Sequence, residues 1–356
     1  MMRIGFLLPY YSERPIGGFK VVYEYGWRLA ERGHEVVVIH PRSLVRGNLV
    51  EILKGIRWSV KRSSAPSEPF WFPHLQGMHF AFVPIPSHRW MPDCDAIVAT
   101  GWRTAPWVAS LPPSKGKKFY LIQHYETWDG PEDEVDATWR LPLHKIVIAR
   151  WLYQLGREKF DQGDSMTYIP NGIDFSHLRE TMPPDERSPY AVGMLYHKNP
   201  WKGTADGLRA LEHVKKYVPE LRVTLFGATP PGDDVPQWME YLQLPSAEAL
   251  LAFYNWCAVF VHPSWTEGWG LPAAEAMACG AALAAAANGG VLDYTEQGVT
   301  ALLSEPRDSD ALAMNILRLV RDQDLRVRIA KAGHDYIQRY TWDVAVSSLE
   351  HLLEDG

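Results

Sequence analysis

The sequence contains few cysteines and no excess of basic residues. Only three cysteines, Cys94, Cys257 and Cys279, occur among 356 residues, and their odd number and wide spacing argue against a disulfide framework. Because most of them lie beside apolar runs, we expect reduced core thiols and no zinc site. A net charge of −6 argues against a nucleic-acid-binding protein, whose surface would be basic.

Long apolar runs are also absent. No stretch of about 18 apolar residues occurs, so no transmembrane helix is predicted. The apolar N-terminal segment stops at Pro9 and no small-residue cleavage site follows it, which predicts a first strand rather than a signal peptide. We therefore expect a cytoplasmic protein, with association at the inner face of the membrane left open.

The length predicts two domains, because a single core stops growing at roughly 250–300 residues. Residues 4–8 read as a strand, residues 19–32 as an amphipathic helix and residues 35–39 as a second strand, which together make a β-α-β unit. Pro170, Asn171, Gly172, Pro183, Pro184 and Pro189 concentrate chain-breaking residues at mid-chain. We expect the second domain to begin there.

The most informative segment contains two glutamates, Glu267 and Glu275, in the sequence Glu-Gly-Trp-Gly-Leu-Pro-Ala-Ala-Glu. The apolar run 259–262 before it predicts a buried strand, and Pro272 predicts the first position of a helix that ends near Gly280. Glu267 then lies in the strand-to-helix loop, and Glu275 lies about one turn into the helix.

This arrangement suits a nucleoside diphosphate sugar. Ligands bind at the carboxyl ends of strands in open α/β sheets, and a helix N-terminus offers N–H groups to phosphate. One carboxylate can bind ribose hydroxyls and the other can bind sugar hydroxyls. A bare pair of glutamates at a helix start is also typical of an ordinary solvated surface, so the surrounding residues decide.

Those surrounding residues resemble the donor site of glycosyltransferase family 4, whose members are retaining enzymes of GT-B fold. The resemblance extends over nearly the whole chain. The matching residues are Gly17-Gly18, Pro170-Asn171-Gly172-Ile173-Asp174, Lys202-Gly203, Phe226-Gly227, His262-Pro263-Ser264, the segment from Glu267 to Pro272, the segment from Glu275 to Gly280, and Asn288-Gly289-Gly290.

The resemblance implies an α/β architecture with two doubly wound, Rossmann-like domains facing across a cleft. The expected divisions are an acceptor-binding domain at residues 1–170, a donor-binding domain at residues 171–339, and a C-terminal helix at residues 340–356 that returns to the first domain. The implied reaction moves a sugar from a nucleotide donor to a saccharide or lipid-linked acceptor, with no metal or other cofactor. Such enzymes are typical of cell-surface polysaccharide and glycoconjugate synthesis.

The resemblance also assigns roles to individual residues of the second domain. Lys202 matches a cation that stabilises the leaving phosphate, Glu275 the group that binds ribose, and Glu267 the group near the reacting sugar carbon. Further donor contacts are expected from Gly268, Trp269, Gly270, Leu271, Gly289 and Gly290.

Two features depart from the commonest family pattern. The phosphate-binding arginine expected before Lys202 is absent, and His197 is the nearest substitute, since a histidine beside phosphate favours its protonated form. Residues 281–287 are mostly alanine, which helix propensity alone would make helical. We predict a strand instead, because Gly280 ends the preceding helix and Asn288 to Gly290 must be presented as a loop.

In the first domain, Gly17 and Gly18 precede the first predicted helix, where a backbone without side chains can approach a phosphate. The alternative is a plain turn. His124 ends a predicted strand, and family members carry a His or Asp in this region near the acceptor. The alternative for His124 is a structural role.

The segment 45–73 contains a basic amphipathic stretch with Lys54, Arg57, Lys61 and Arg62, followed by aromatic residues. Peripheral membrane contact and ordinary packing on the sheet are both consistent with it. Asp93 and Asp95 have the spacing of a metal-binding D-x-D motif, but they lead into a buried strand, so we expect no metal there.

Two alternative functions remain open from the sequence. One is a sugar-nucleotide epimerase or hydrolase of the same fold, and the other is a two-domain nucleotide-sugar-binding protein without turnover.

Overall fold

The computed structural model describes residues 1–44, 49–63 and 71–355. It divides into two compact units, the first containing residues 1–171 and the C-terminal segment from Trp342, and the second containing Gly172–Thr341. Each unit is built around a parallel β-sheet with helical crossovers. The expected architecture of two Rossmann-like domains is therefore confirmed.

The first domain has a parallel sheet in the order 3-2-1-4-5-6-7. Its strands are β1 (Arg3–Leu7), β2 (Glu35–Pro41), β3 (Met78–Val83), β4 (Ala96–Ala99), β5 (Lys117–Ile122), β6 (His144–Val147) and β7 (Met166–Tyr168). Its helices before the domain boundary are α1 (Gly17–Glu31), α2 (Leu49–Ser63), α3 (Ala105–Ser110), α4 (Glu132–Trp139) and α5 (Arg150–Phe160). The strands are mostly buried, as parallel strands covered on both faces require.

The second domain has a parallel sheet in the order 10-9-8-11-12-13. Its strands are β8 (Ala191–Leu195), β9 (Arg222–Gly227), β10 (Glu240–Gln243), β11 (Val259–His262), β12 (Ala282–Ala286) and β13 (Ala301–Ser304). Its helices are α6 (Thr204–Tyr217), α7 (Ala247–Trp256), α8 (Leu271–Ala278), α9 (Ser309–Arg321) and α10 (Gln323–Ile337).

The last helix, α11 (Trp342–Asp355), belongs to the same compact unit as residues 1–171. Its Glu350 carboxylate accepts hydrogen bonds from Arg32 at 2.6 Å and from His34 Nε2 at 2.7 Å. The ring of Trp342 packs edge-on against Tyr25 of α1, with centroids 5.2 Å apart. The helix is therefore fixed by packing and by charge.

The alanine-rich segment forms the buried strand β12, as predicted against helix propensity. It pairs with β11 and β13, and every residue from Ala282 to Ala286 is buried. Gly280 has φ +81°, a left-handed conformation that ends α8 without steric cost. Tertiary pairing thus decides the conformation of residues whose local preference is different.

The basic segment includes α2, while residues 45–48 and 64–70 lie outside the described part of the chain. Trp58 packs against Phe82 of β3 with ring centroids 5.7 Å apart, so part of the helix packs on the sheet. Lys54 and Arg57 are exposed, and Leu53 is 57% exposed beside them. Membrane contact through residues 45–73 stays a prediction. Among the described helices, none is both long and apolar enough to cross a bilayer.

Candidate active site

The second sheet changes direction between β8 and β11. The chain adds β9 and β10 on one side of β8 and then returns to add β11 on the other. Open parallel sheets bind ligands beyond the carboxyl ends of the strands at such a switch point. The loops that follow these two strands contain His197, Lys202 and Glu267.

The loop after β11 turns sharply into α8. Gly270 has φ +87°, which suits glycine, and Leu271 and Pro272 are the first two helical residues. Pro272 therefore occupies the second position of the helix, whereas the sequence predicts the first. The hydroxyl of Tyr294 donates a hydrogen bond of 2.8 Å to the Gly270 carbonyl and fixes the turn. Pro272 has no N–H, and the N–H groups of Ala273 and Ala274 donate to the Gly270 carbonyl at 3.1 and 3.3 Å. The Leu271 N–H at the helix start is therefore the group positioned to bind an anion.

Lys202 and Glu267 form an ion pair within the site. Lys202 Nζ donates to Glu267 Oε1 at 2.8 Å and to Oε2 at 2.9 Å. Burial alone would raise the pKa of Glu267, but the Lys202 ammonium, His262 and side-chain hydrogen bonds from Lys202 and Ser264 lower it to about 2. Glu267 is thus a buried, ionised carboxylate, and Lys202 holds it across two loops.

Close backbone contacts hold the Lys202 loop against the Glu267 loop. Gly203 has φ +64°, and a Cβ at this position would overlap the carbonyl oxygen of Pro263. Trp265 N–H donates a hydrogen bond of 2.7 Å to the carbonyl of Trp201. The glycine in Lys202-Gly203 is therefore required by the approach of the two loops.

His262, the last residue of β11, lies beside the ion pair. Its Nε2 is 3.7 Å from Glu267 Oε1, and the side chain is buried. Burial lowers the pKa of His262 to about 4, with Lys202 acting in the same direction and Glu267 against it. A neutral imidazole therefore faces the carboxylate near neutral pH.

Glu275 lies one turn into α8 and is 6% exposed. Its Oε2 accepts a hydrogen bond of 2.9 Å from the hydroxyl of Tyr254 in α7. Tyr254 was not among the predicted site residues, because nothing in the spacing of the motif indicates which residue of α7 reaches α8. The bond from Tyr254 fixes the orientation of the Glu275 carboxylate.

The surroundings of His197 favour its neutral form. Burial lowers the pKa of His197, Lys202 adds to the decrease, and Glu267 opposes it. Asn199 N–H donates to His197 Nδ1 at 3.1 Å, which places the proton of the neutral ring on Nε2. His197 can therefore still donate a hydrogen bond to a phosphate, but as a neutral imidazole.

Gly290 packs against the β11–α8 loop, which contains Glu267 and Trp269. It has an ordinary helical conformation, yet a Cβ there would lie 2.9 Å from backbone atoms of Glu267 and Trp269. Gly289 precedes it in the same turn. The glycine is needed because the two backbones approach closely.

The two tryptophans that flank Glu267 differ in environment. Trp269 is 2% exposed and packs against Tyr294 and Tyr340, so its ring belongs to the core. Trp265 is partly exposed, and its Nε1 donates to Asp206 at 2.6 Å. A sugar could contact the ring of Trp265 but not that of Trp269, whose contribution is limited to its backbone.

The predicted first-domain residues lie at the carboxyl end of the first sheet. Gly17 is the first residue of α1 rather than part of the loop before it, and Ile16 is the N-cap. Gln123 Nε2 donates to the Gly18 carbonyl at 3.1 Å. His124 lies two residues beyond the end of β5, and its ring packs edge-on against Trp128 with centroids 4.3 Å apart.

Glu126 was missed by the sequence analysis. It is a part-buried carboxylate in the loop after β5, and its Oε2 accepts a hydrogen bond of 2.9 Å from Trp102 N–H. Burial raises the pKa of Glu126 to about 7; the Trp102 N–H and Arg103 oppose the increase, and Asp129 adds to it. The only sequence signal was an acidic residue close after a buried strand.

The D-x-D carboxylates have separate structural partners. Asp93 pairs with Lys115 at 2.7 Å, and Asp95 accepts a hydrogen bond from Arg3 N–H at 2.6 Å. These bonds fix the entrance to β4 and leave the two carboxylates with distinct roles.

Comparison with known proteins gives a family match for the second domain. Residues 184–336 match the family model of glycosyl transferases group 1. An uncharacterised glycosyltransferase of Methanocaldococcus jannaschii is 28% identical over 33% of this chain and 33% of its own length. A D-inositol 3-phosphate glycosyltransferase of Stackebrandtia nassauensis is 27% identical over 52% of this chain and 48% of its own. The chain therefore spans a third to about half of the length of these curated relatives.

Solved structures match the chain along its whole length. Anabaena HepE, crystallised with UDP and glucose, superposes with a TM-score of 0.76 at 16% identity and covers 100% of both chains. This likeness establishes the fold. The chain thus has the GT-B fold, and residues 184–336 carry the sequence of a group 1 glycosyl transferase domain.

Proposed function

We propose that this protein is a retaining, metal-independent glycosyltransferase that uses a nucleoside diphosphate sugar and a saccharide or lipid-linked acceptor. The observation that carries the proposal is the pair Glu267 and Glu275, both buried, at the loop and first turn that open α8. Anabaena HepE, of the same fold, is described with UDP and UDP-glucose. A group 1 match over residues 184–336 supports the same donor class.

In this proposal the second domain binds the donor. Glu275, whose carboxylate Tyr254 orients, accepts hydrogen bonds from the ribose hydroxyls. The N–H groups of Gly270 and Leu271 at the start of α8 bind the pyrophosphate, and His197 Nε2–H adds a neutral donor. Gly268 and the turn at Gly289–Gly290 form the rest of the backbone that surrounds the pyrophosphate.

Lys202 and Glu267 act at the reacting end of the donor. When the sugar–phosphate bond breaks, negative charge develops on the leaving phosphate, and the Lys202 ammonium stabilises it. Glu267 binds sugar hydroxyls beside an oxocarbenium-like carbon, where its retained negative charge is favourable. The acceptor hydroxyl attacks from the face that the phosphate leaves, and a departing phosphate oxygen takes its proton.

The first test is a thermal-shift screen of uridine, guanosine, thymidine and adenosine diphosphates and their sugars. A ligand at 100 times its Kd stabilises the folded protein by about 2.7 kcal/mol, which shifts Tm by several degrees. Glu275→Gln should abolish the shift, although its amide oxygen can still accept the Tyr254 bond. Glu212→Gln, an exposed acid on α6, is the matched control.

A shift with one base, lost only in the Glu275 variant, would support the donor site and name the nucleotide. Turnover of that donor, unchanged in a chelator, would separate a metal-independent transferase from a binding protein. No shift with any nucleotide would contradict the proposal.

A further inference from the structure

The first sheet has its own switch point, between β1 and β4. The two strands pair in parallel from Ile4↔Ala96 to Leu7↔Ala99, with β2 and β3 on one side and β5 to β7 on the other. The loops after β1, β4 and β5 therefore converge at the edge where a ligand of this domain would bind. Tyr10, Trp102 and Glu126 belong to these three loops.

The Glu126 carboxylate reaches from its own loop to the loop after β4. Besides the bond from Trp102 N–H, a Cβ on Gly101 would lie 3.6 Å from Glu126 Oε2. Burial, Asp129 and Glu126 raise the pKa of Tyr10, in the loop after β1. Glu126 is thus held at the switch point by the N–H of Trp102 in the loop after β4.

Arg103, the cation near Glu126, pairs with Asp129. Arg103 Nε donates to Asp129 Oδ2 at 2.9 Å, and Trp102 Nε1 donates to the same oxygen at 3.2 Å. Glu126 therefore faces Asp129, Arg103, Tyr10 and Tyr120, and only the backbone N–H of Trp102 among the described contacts donates to it.

Ionised Glu126 costs folding stability. Its pKa is about 7 in the folded protein against 4.5 ordinarily, so the folded state binds more protons than the unfolded state between these values. Stability then falls as the pH rises from about 4.5 to about 7. A glutamine could accept the same bond without this cost. Carboxylates kept at such a cost concentrate at functional sites.

We propose that Glu126 is an acceptor-binding residue, which accepts a hydrogen bond from a hydroxyl of an uncharged sugar bound at the switch point of the first sheet. Tyr10 in the loop after β1 and Trp128 in the loop after β5 are exposed at the same edge of the sheet, where aromatic surface can contact a sugar. A phosphorylated sugar is disfavoured, because the acidic groups of the loop after β5 repel a phosphate. Residues 123–136 contain six acidic residues and no Lys or Arg.

The inference rests on the proposed function, and its test separates the two. Binding of methyl glycosides of glucose, mannose and rhamnose, and of mannose 6-phosphate, is measured by NMR at about pH 8 and about pH 5.5, on either side of the Glu126 pKa. The variant is Glu126→Gln, and the matched control is Glu132→Gln, an exposed acid of the next helix that pairs with Lys159. Uridine and guanosine diphosphate binding is measured on the same proteins.

For the wild-type protein and the control, we expect an uncharged glycoside to bind about tenfold more weakly at the lower pH, since protonation replaces a charged acceptor with a weaker neutral one. Glu126→Gln should bind it weakly at both values, with nucleotide affinity unchanged. Mannose 6-phosphate should bind more weakly than mannoside.

Equal, pH-independent glycoside binding by wild type and Glu126→Gln, or no glycoside binding at all, would overturn the inference. Tighter binding of the phosphorylated sugar would overturn its assignment to an uncharged acceptor. If the wild-type protein binds no nucleotide, the proposed donor site is contradicted. The glycoside result then still tests the role of Glu126.

Discussion

Each domain places a glutamate at the switch point of its sheet, and the two are held in opposite ways. Glu267 is paired with the Lys202 ammonium, which lowers its pKa to about 2 against the effect of burial. Glu126 is bound by a backbone N–H while Arg103 serves Asp129, and burial raises its pKa to about 7.

The difference shows that fold position alone does not determine charge. The second domain keeps its carboxylate ionised at physiological pH, which suits the oxocarbenium-like transition state proposed for it. The first domain keeps a carboxylate with a pKa of about 7, which is compatible with the uncharged hydroxyl proposed as its ligand. The same topology therefore supports a permanently charged carboxylate in one domain and a carboxylate that titrates near neutral pH in the other.

The largest effect on this contrast is expected from Lys202→Met. It leaves Glu267 buried without a cation, which should cost roughly 3–5 kcal/mol of folding free energy. Loss of the cation at the leaving phosphate should also lower turnover by about 100-fold or more. Denaturant unfolding and donor turnover measure the two effects.

A double variant separates folding from catalysis. Lys202→Met with Glu267→Gln should recover most of the stability, because no buried charge remains, but should recover no turnover. Lys331→Met, which removes an exposed pair with Asp185, is the control and should change stability by less than about 0.5 kcal/mol. Wild-type stability of the single Lys202 variant would refute the buried ion pair.

A smaller effect is expected from Gly290→Ala. The added Cβ would lie 2.9 Å from the backbone of Glu267 and Trp269, so the β11–α8 loop must move. Overpacking of this kind costs about 1–3 kcal/mol. Donor affinity should fall with stability, whereas Gly163→Ala, with nothing within 4 Å of its new Cβ, should alter neither. Unchanged donor affinity in Gly290→Ala would show that the loop is free to adjust.

The second domain was predictable because its motif fixes local structure and position together. Apolar residues before Glu267, Pro272 at the helix start and Gly280 at its end define a strand, a loop and a helix. Even the alanine-rich strand β12 was predictable, since the glycines on both sides of it left no other place for it. These signals are local in sequence, so they can be read without the fold.

The contacts that decide charge were not predictable. Lys202 and Glu267 are 65 positions apart, and Glu126 and Trp102 are 24 positions apart. Which residues pair depends on the strand order, which sequence periodicity does not contain. The neutral form of His197 likewise depends on its burial and on the Asn199 N–H that occupies Nδ1.

The smallest and most direct test compares how stability depends on pH in Glu126→Gln and Glu267→Gln. The folded pKa of Glu126 is raised, so wild type loses stability from Glu126 as the pH rises from about 4.5 to about 7, and Glu126→Gln should gain relative stability over that range. The folded pKa of Glu267 is lowered, so its contribution is complete above about pH 4.5 and is lost toward about pH 2. Glu267→Gln should therefore be less stable than wild type at neutral pH and approach it in acid.

Urea unfolding of the two variants and wild type between about pH 2 and about pH 8 measures both slopes. The Glu126 effect should be on the order of 1 kcal/mol, because one pKa unit corresponds to about 1.4 kcal/mol and solvent screening reduces the full shift. If the stability of both variants relative to wild type changed with pH in the same direction, the two carboxylates would be held alike. Opposite slopes would show that the two switch points differ in charge state and not only in sequence.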